Sequence, residues 1–160
     1  LRIALGSDER SHLTDFLEQE LRRRGYDVTL YGPLTGEAQS WPEVAREVAE
    51  SVASGKADEG VLLCWTGTGV SIAANKVPGI RAALCSDAET ARGARAWNQA
   101  NVLCLSLRST PEIIACEILD AWFSAAPDPG EQGNVEKVNE LDERYRARAG
   151  TRPTGGAPGG

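Results

Sequence analysis

Apolar positions along this chain switch between two periods. Five short runs have the length and composition of buried strands, and each ends at turn residues: "RIALGSD" (2–8), "YDVTLYG" (26–32), "EGVLLCW" (59–65), "PGIRAALCS" (78–86) and "ANVLCLSL" (100–107). Helical spacing fills the gaps. "HLTDFLEQELRRRG" (12–25) sets Leu13, Phe16, Leu17, Glu20 and Leu21 on one face and closes at Gly25. "WPEVAREVAESVASG" (41–55) has Pro42 near its start and aligns Val44, Val48 and Val52. A short helix is expected over about 71–75, another over 87–98 with Asp87 as its N-cap, an amphipathic one over 110–125, and a last one over 134–150. The final ten residues, "TRPTGGAPGG", have no apolar period and are expected to be disordered.

Strands alternating with helices predict a single α/β domain over 1–150: a doubly wound, Rossmann-like, five-stranded parallel sheet with helices on both faces. Ligands of such sheets bind at the carboxyl ends of the strands, beside the point where strand order reverses. Three loops are expected there, after Leu5 (Gly6, Ser7, Asp8), after Leu63 (Cys64 to Gly69) and after Leu107 (Arg108).

Composition narrows the function classes. A net charge of −6 over 160 residues argues against nucleic-acid and anionic-membrane binding. No apolar run approaches the ~18 residues of a membrane span, and the first segment reads as a strand rather than a signal peptide. Four cysteines without C-x-x-C spacing, together with one histidine, argue against a zinc site and fit a reducing, cytoplasmic setting.

The candidate chemistry sits in "LLCWTGTGVSIAANKVPGIRAAL" (62–84). A strand ends on Cys64, and Thr66, Gly67, Thr68 and Gly69 follow before a helix. Backbone N–H groups at such a turn can hold an anion or an enediolate oxygen, although a tight strand-to-helix turn alone would need the same glycines. A helix N-terminus favours the thiolate form of a nearby cysteine, while a small thiol at a strand end is also an ordinary core residue. Asp8 can orient a sugar hydroxyl or cap a helix. Lys76 and Arg81 can be surface charges.

Taken in order, "RIALGSD", "VASGKADEGVLLCWTGTGVSIAANKVPGIRAALCSD" and "ANVLCLSLR" resemble the ribose-5-phosphate isomerase B family, which includes the galactose-6-phosphate isomerase subunits. The resemblance runs over about residues 2–146. It implies aldose–ketose isomerisation through a cis-enediolate, without metal or cofactor, in a homodimer or dimer of dimers whose active site lies at the subunit interface. It places the carbon base on Cys64, with Thr66 as its catalytic neighbour, and the anion loop on Thr66 to Ser71. Substrate binding falls on Asp8, Gly67, Thr68, Gly69, Ser71, Asn98 and Arg108.

The departures from the family pattern concern charge and bulk. Ser-Asp-His becomes Ser7, Asp8, Glu9. The ring-opening histidine becomes Trp97, the aromatic of a Tyr-Pro pair becomes Trp41, and a loop glycine becomes Trp65. Gly130 and Asn134 stand where two phosphate-binding arginines are expected, beside Glu131. Each charge-assisted bond to phosphate is worth roughly 1.5–3 kcal/mol, so a substrate other than ribose 5-phosphate is expected. A ligand-binding or non-catalytic paralogue paired with an active subunit is the alternative. Trp41, Trp65 and Trp97 are expected to narrow one pocket. His12 is expected on the surface, although the first helical turn could bring it near the site.

Overall fold

The computed structural model describes the backbone of residues 1–150 and the side chains of residues 1–147. The expected tail, 151–160, lies outside the described residues. Five strands, β1 (Arg2–Ser7), β2 (Asp27–Tyr31), β3 (Glu59–Cys64), β4 (Ala82–Leu84) and β5 (Val102–Ser106), form one parallel sheet in the order β2-β1-β3-β5-β4. Six helices connect or follow them: α1 (His12–Arg23), α2 (Trp41–Ala53), α3 (Thr68–Ala74), α4 (Ala88–Asn98), α5 (Glu112–Ser124) and α6 (Gln132–Gly150). The expected doubly wound α/β architecture is what forms. Among the described residues no helix is long and apolar enough to cross a membrane.

The central strands are buried along their length, so both faces of the sheet must be covered. One face packs Leu13, Leu17 and Leu21 of α1, Ala91 and Ala94 of α4, and Ile118, Leu119 and Trp122 of α5 against Ile3, Leu5, Leu63, Leu103 and Leu105. The other packs Val44 and Val48 of α2 and Val70 and Ala74 of α3 against Ala4, Leu62, Val102 and Cys104. Val52 of the same α2 stripe is only partly buried. Glu20 sits in the apolar stripe of α1 because Arg23 and Arg24 hold it there, at 2.7 and 2.8 Å. The Arg23 hydrogen bond lowers its pKa to about 2 against the opposing effect of burial.

Several boundaries differ from the sequence reading. β4 keeps only three residues of the expected 78–86, since Pro78 and Gly79 make a turn. The side chains of Asp142 and Asn101 then take the backbone N–H groups of Gly79 and Arg81. A 3-10 turn at Gly32–Thr35 was not expected. α3 begins at Thr68 rather than Ser71, because Gly67 caps it in the left-handed region (φ 76°) and accepts from the Ser71 N–H. α6 starts two residues early, after a 3-10 turn at Pro129–Glu131.

The chain moves from β1 to β2 on one side and to β3 on the other. The switch point therefore lies between the carboxyl ends of β1 and β3, where Ser7 pairs with Leu63.

Candidate active site

At that switch point β1 delivers Asp8 and β3 delivers Cys64. Gly6 lets the chain pass close under α2, since a Cβ there would meet the Val44 and Val48 side chains at 2.7 and 2.8 Å. Cys64 ends a fully buried strand and is itself buried, with its carbonyl held by the N–H groups of Gly67 and Leu107. The next carbonyl, that of Trp65, accepts from Ser106 Oγ at 2.9 Å and from the Arg108 N–H at 3.1 Å. Pinning this carbonyl against β5 turns the Trp65 indole outward, where it is 60% exposed.

Gly67 completes the turn. A Cβ there would lie 2.5 Å from Leu84 and 2.9 Å from the Leu105 carbonyl, in a left-handed conformation. No other residue fits. Thr66 and Thr68 point to the same side, their hydroxyls 2.7 Å apart. Trp41, the first residue of α2, lies against Gly69, 3.0 Å from where a Cβ would stand. The result is a cavity of about 300 Å³ lined by Asp8, Trp41, Cys64, Trp65, Thr66, Thr68 and Gly69.

Asp8 is the unusual group in it. Its Oδ1 is buried and receives no hydrogen bond. Burial raises its pKa, its own backbone partly opposes this, and Glu9 adds to the rise. Helix capping does not explain the residue, because Ser11 and Thr14 cap α1 with reciprocal bonds. Two titratable side chains thus line one small cavity, a carboxyl and a thiol.

The remaining expected residues fall elsewhere. Ser71 lies within α3, half-buried, outside the residues that line the Cys64 cavity. Arg108 follows β5 and is exposed; among the described residues its guanidinium has no partner. His12 points to solvent, 90% exposed, against Glu112. Arg10 is held by Asp15 and the Leu34 carbonyl, and Arg95 by Glu59. Among the described residues no group of three or more His, Cys, Asp or Glu side chains is placed to hold a metal.

Within one chain Trp97 and Asn98 stand apart from the cavity that Trp41 and Trp65 line. They end α4 at the amino edge of the sheet, where Arg81 Nε donates to the Asn98 carbonyl just before β4. There they line a second cavity, about 370 Å³, with Arg81, Asn134 and Asp142. Gly130 and Glu131 stand in the adjoining turn, where Glu131 accepts from Asn134 at 2.7 Å. β5 pairs at its amino end with Gly60 and at its carboxyl end with Cys64, four steps of ~3.3 Å apart. One chain therefore keeps Asn98 and Cys64 at opposite edges of the sheet. Sequence reasoning missed Arg81 as a lining residue; its half-buried, desolvated guanidinium was legible only as a possible surface charge.

Comparison with known proteins matches this arrangement. The model of a family described as Ribose/Galactose Isomerase matches residues 3–141. The chain is 40% identical to the D-erythrulose-4-phosphate isomerase of Pectobacterium atrosepticum, over 88% of this chain and 93% of that one. It is 38% identical to the ribose-5-phosphate isomerase B of Escherichia coli, over 89% and 97%. The solved structure of Clostridium thermocellum ribose-5-phosphate isomerase B superposes with a TM-score of 0.85 at 39% identity, covering 91% of this chain and 99% of that one. With this order of strands, this turn after Cys64 and these matches over nearly its whole described length, the chain belongs to the ribose/galactose isomerase family.

Proposed function

We propose that this protein is a cofactor-independent aldose–ketose isomerase that forms a cis-enediolate on an open-chain hydroxy-carbonyl substrate, and that ribose 5-phosphate is a poor substrate for it. The observation that carries the reading is the cavity that sets the Cys64 thiol beside Asp8 at the switch point of the sheet. In its thiolate form Cys64 takes the proton alpha to the carbonyl and returns it to the neighbouring carbon. The Thr66–Thr68 hydroxyl pair lines the same cavity and can serve the oxygens that become charged. A non-catalytic subunit has no use for this pairing.

The open-chain preference rests on what is missing. A tryptophan cannot accept and return a ring-opening proton, so Trp97 suits a substrate that is already open. A four-carbon sugar phosphorylated at its last oxygen cannot close a five-membered ring, and a relative at 40% identity carries the name D-erythrulose-4-phosphate isomerase. Among the described residues no cation lines the Cys64 cavity; Arg108, whose backbone N–H bonds the Trp65 carbonyl, has no side-chain partner there.

The separation of the two half-sites supports a homodimer with shared sites. A second copy that lays its Trp97, Asn98 and Asn134 over the Cys64 cavity completes a closed pocket. It also covers the exposed Trp41, Trp65, Ile72 and Leu84. The test is a panel of phosphorylated and free aldoses and ketoses, from four to six carbons, incubated in D₂O and read for carbon-bound deuterium. Short open-chain compounds should exchange, and ribose 5-phosphate should trail them by about two orders of magnitude or more, since ~3 kcal/mol of lost phosphate contacts is over a hundredfold. No exchange on any member would refute the isomerase reading, and ribose 5-phosphate leading the panel would refute the substrate shift.

A further inference from the structure

Isomerising an aldose to a ketose moves two protons: one between carbons and one between oxygens. Cys64 accounts for the first. The second needs a group that gives a proton to the carbonyl oxygen and takes one from the hydroxyl oxygen. Seven residues line the Cys64 cavity, and Asp8 is the only other one that titrates. Thr66 and Thr68 are hydrogen-bonded to each other. Trp97 and Asn98, which a second copy would present, do not titrate in the working range. His12 is engaged with Glu112 in solvent, and Glu9 is exposed outside the cavity.

We propose that Asp8 is the oxygen-proton carrier of this site, a catalytic acid–base residue rather than a passive hydroxyl ligand. The proposal rests on the isomerase reading above. The geometry that carries it is Asp8 lining the same small cavity as the thiol, with its Oδ1 buried and without a hydrogen-bond partner. Burial raises the pKa of this carboxyl, against the pull of its own backbone and with Glu9 adding to the rise, so its acid form is more accessible than that of a free aspartate.

The cycle balances without any co-reactant. The Cys64 thiolate takes the C2 proton as the C1–C2 double bond forms, and the Asp8 carboxyl gives its proton to O1. The Asp8 carboxylate then takes the proton of O2 as the C2 carbonyl forms, and the thiol returns its proton to C1. Both residues end as they began, and nothing is oxidised or reduced.

The experiment compares Asp8→Asn and Asp8→Glu with the parent protein on whichever panel member exchanges best. Asparagine can still orient hydroxyls but cannot carry the proton. We expect Asp8→Asn to lose 10²–10⁴-fold in kcat, the usual range for a positioned acid–base group, with KM within about threefold of the parent. The kcat profile should lose the limb that reports Asp8, and Asp8→Glu should recover part of the rate. Thermal denaturation checks the fold; should Asp8→Asn not fold, Asp8→Ser is read by the same criteria. A kcat within threefold of the parent, or a loss confined to KM, would overturn the assignment. A parent protein inactive on the whole panel would instead refute the isomerase reading beneath it.

Discussion

Arg95→Met is expected to destabilise the protein by about 3 kcal/mol at pH 7. Glu59 opens β3 in the interior, where Arg95 Nη2 lies 2.7 Å away and Trp122 Nε1 donates to its other oxygen. The Arg95 guanidinium also stacks on the Trp122 ring at 5.2 Å. Methionine keeps much of the packing over the indole, so the lesion is mainly electrostatic. Removing one member of a buried pair costs ~3–5 kcal/mol because the other charge is left uncompensated; the lower end applies because Arg95 retains some solvent contact. For a chain of this size each kcal/mol moves Tm by ~2–4 °C, so a fall of about 6–12 °C is expected. The pH dependence gives a second check. Burial raises the pKa of Glu59, and the charge of Arg95 followed by the Trp122 bond pulls it back down. A raised carboxyl loses stability as pH climbs from the unfolded value through the folded one. Without Arg95 that loss is larger, so the gap between parent and variant should be small near pH 4, around the ordinary glutamate value, and widen toward pH 7. Adding Glu59→Gln should recover about 2 kcal/mol, because the uncompensated charge is gone. Urea denaturation at several pH values measures all three proteins. A single-variant cost under 1 kcal/mol, or a double variant as unstable as the single, would refute the reasoning.

Three further outcomes follow from the site. Cys64→Ala should fold normally and lose solvent-proton exchange by a hundredfold or more on any accepted substrate; exchange at the parent rate would make Cys64 a core thiol. Gly67→Ala should cost at least ~2 kcal/mol, with ~1–2 from the left-handed backbone alone and the rest from its approach to the Leu105 carbonyl; a cost under 0.5 kcal/mol by urea denaturation would contradict this. Light scattering at micromolar concentration should report a dimer, and a stable monomer with full activity would remove the shared-site argument.

The sheet was legible because its signals are local. Runs such as Val61-Leu62-Leu63 and Leu103-Cys104-Leu105 are apolar at every position, which only a strand covered on both faces requires. β4 was read too long because Ile80 is buried beside the strand without joining its ladder; the apolar pattern reports burial, not pairing. The order of β3 and α3 placed Cys64 and its turn correctly, and the Asp8 loop likewise. The two cavities were not legible, because Trp97 and Asn98 match a family site in sequence while α4 carries them to the opposite edge of the sheet. Whether Asp8 caps a helix was equally hidden until Ser11 was seen to do so.

The four tryptophans divide three to one, and that division gives the molecule built-in optical probes. Trp122 has no solvent contact and lies against a carboxylate and a guanidinium, so its emission should be blue-shifted and shielded from acrylamide. Trp41, Trp65 and Trp97 are 42%, 60% and 57% exposed and stand at the two half-sites, so theirs should be red-shifted and readily quenched. One spectrum thus carries two independent signals. The shielded component follows unfolding, and the quenchable one follows whatever covers the half-sites, whether a ligand or a second subunit. Association can then be followed in unlabelled protein, at concentrations far below those that scattering needs.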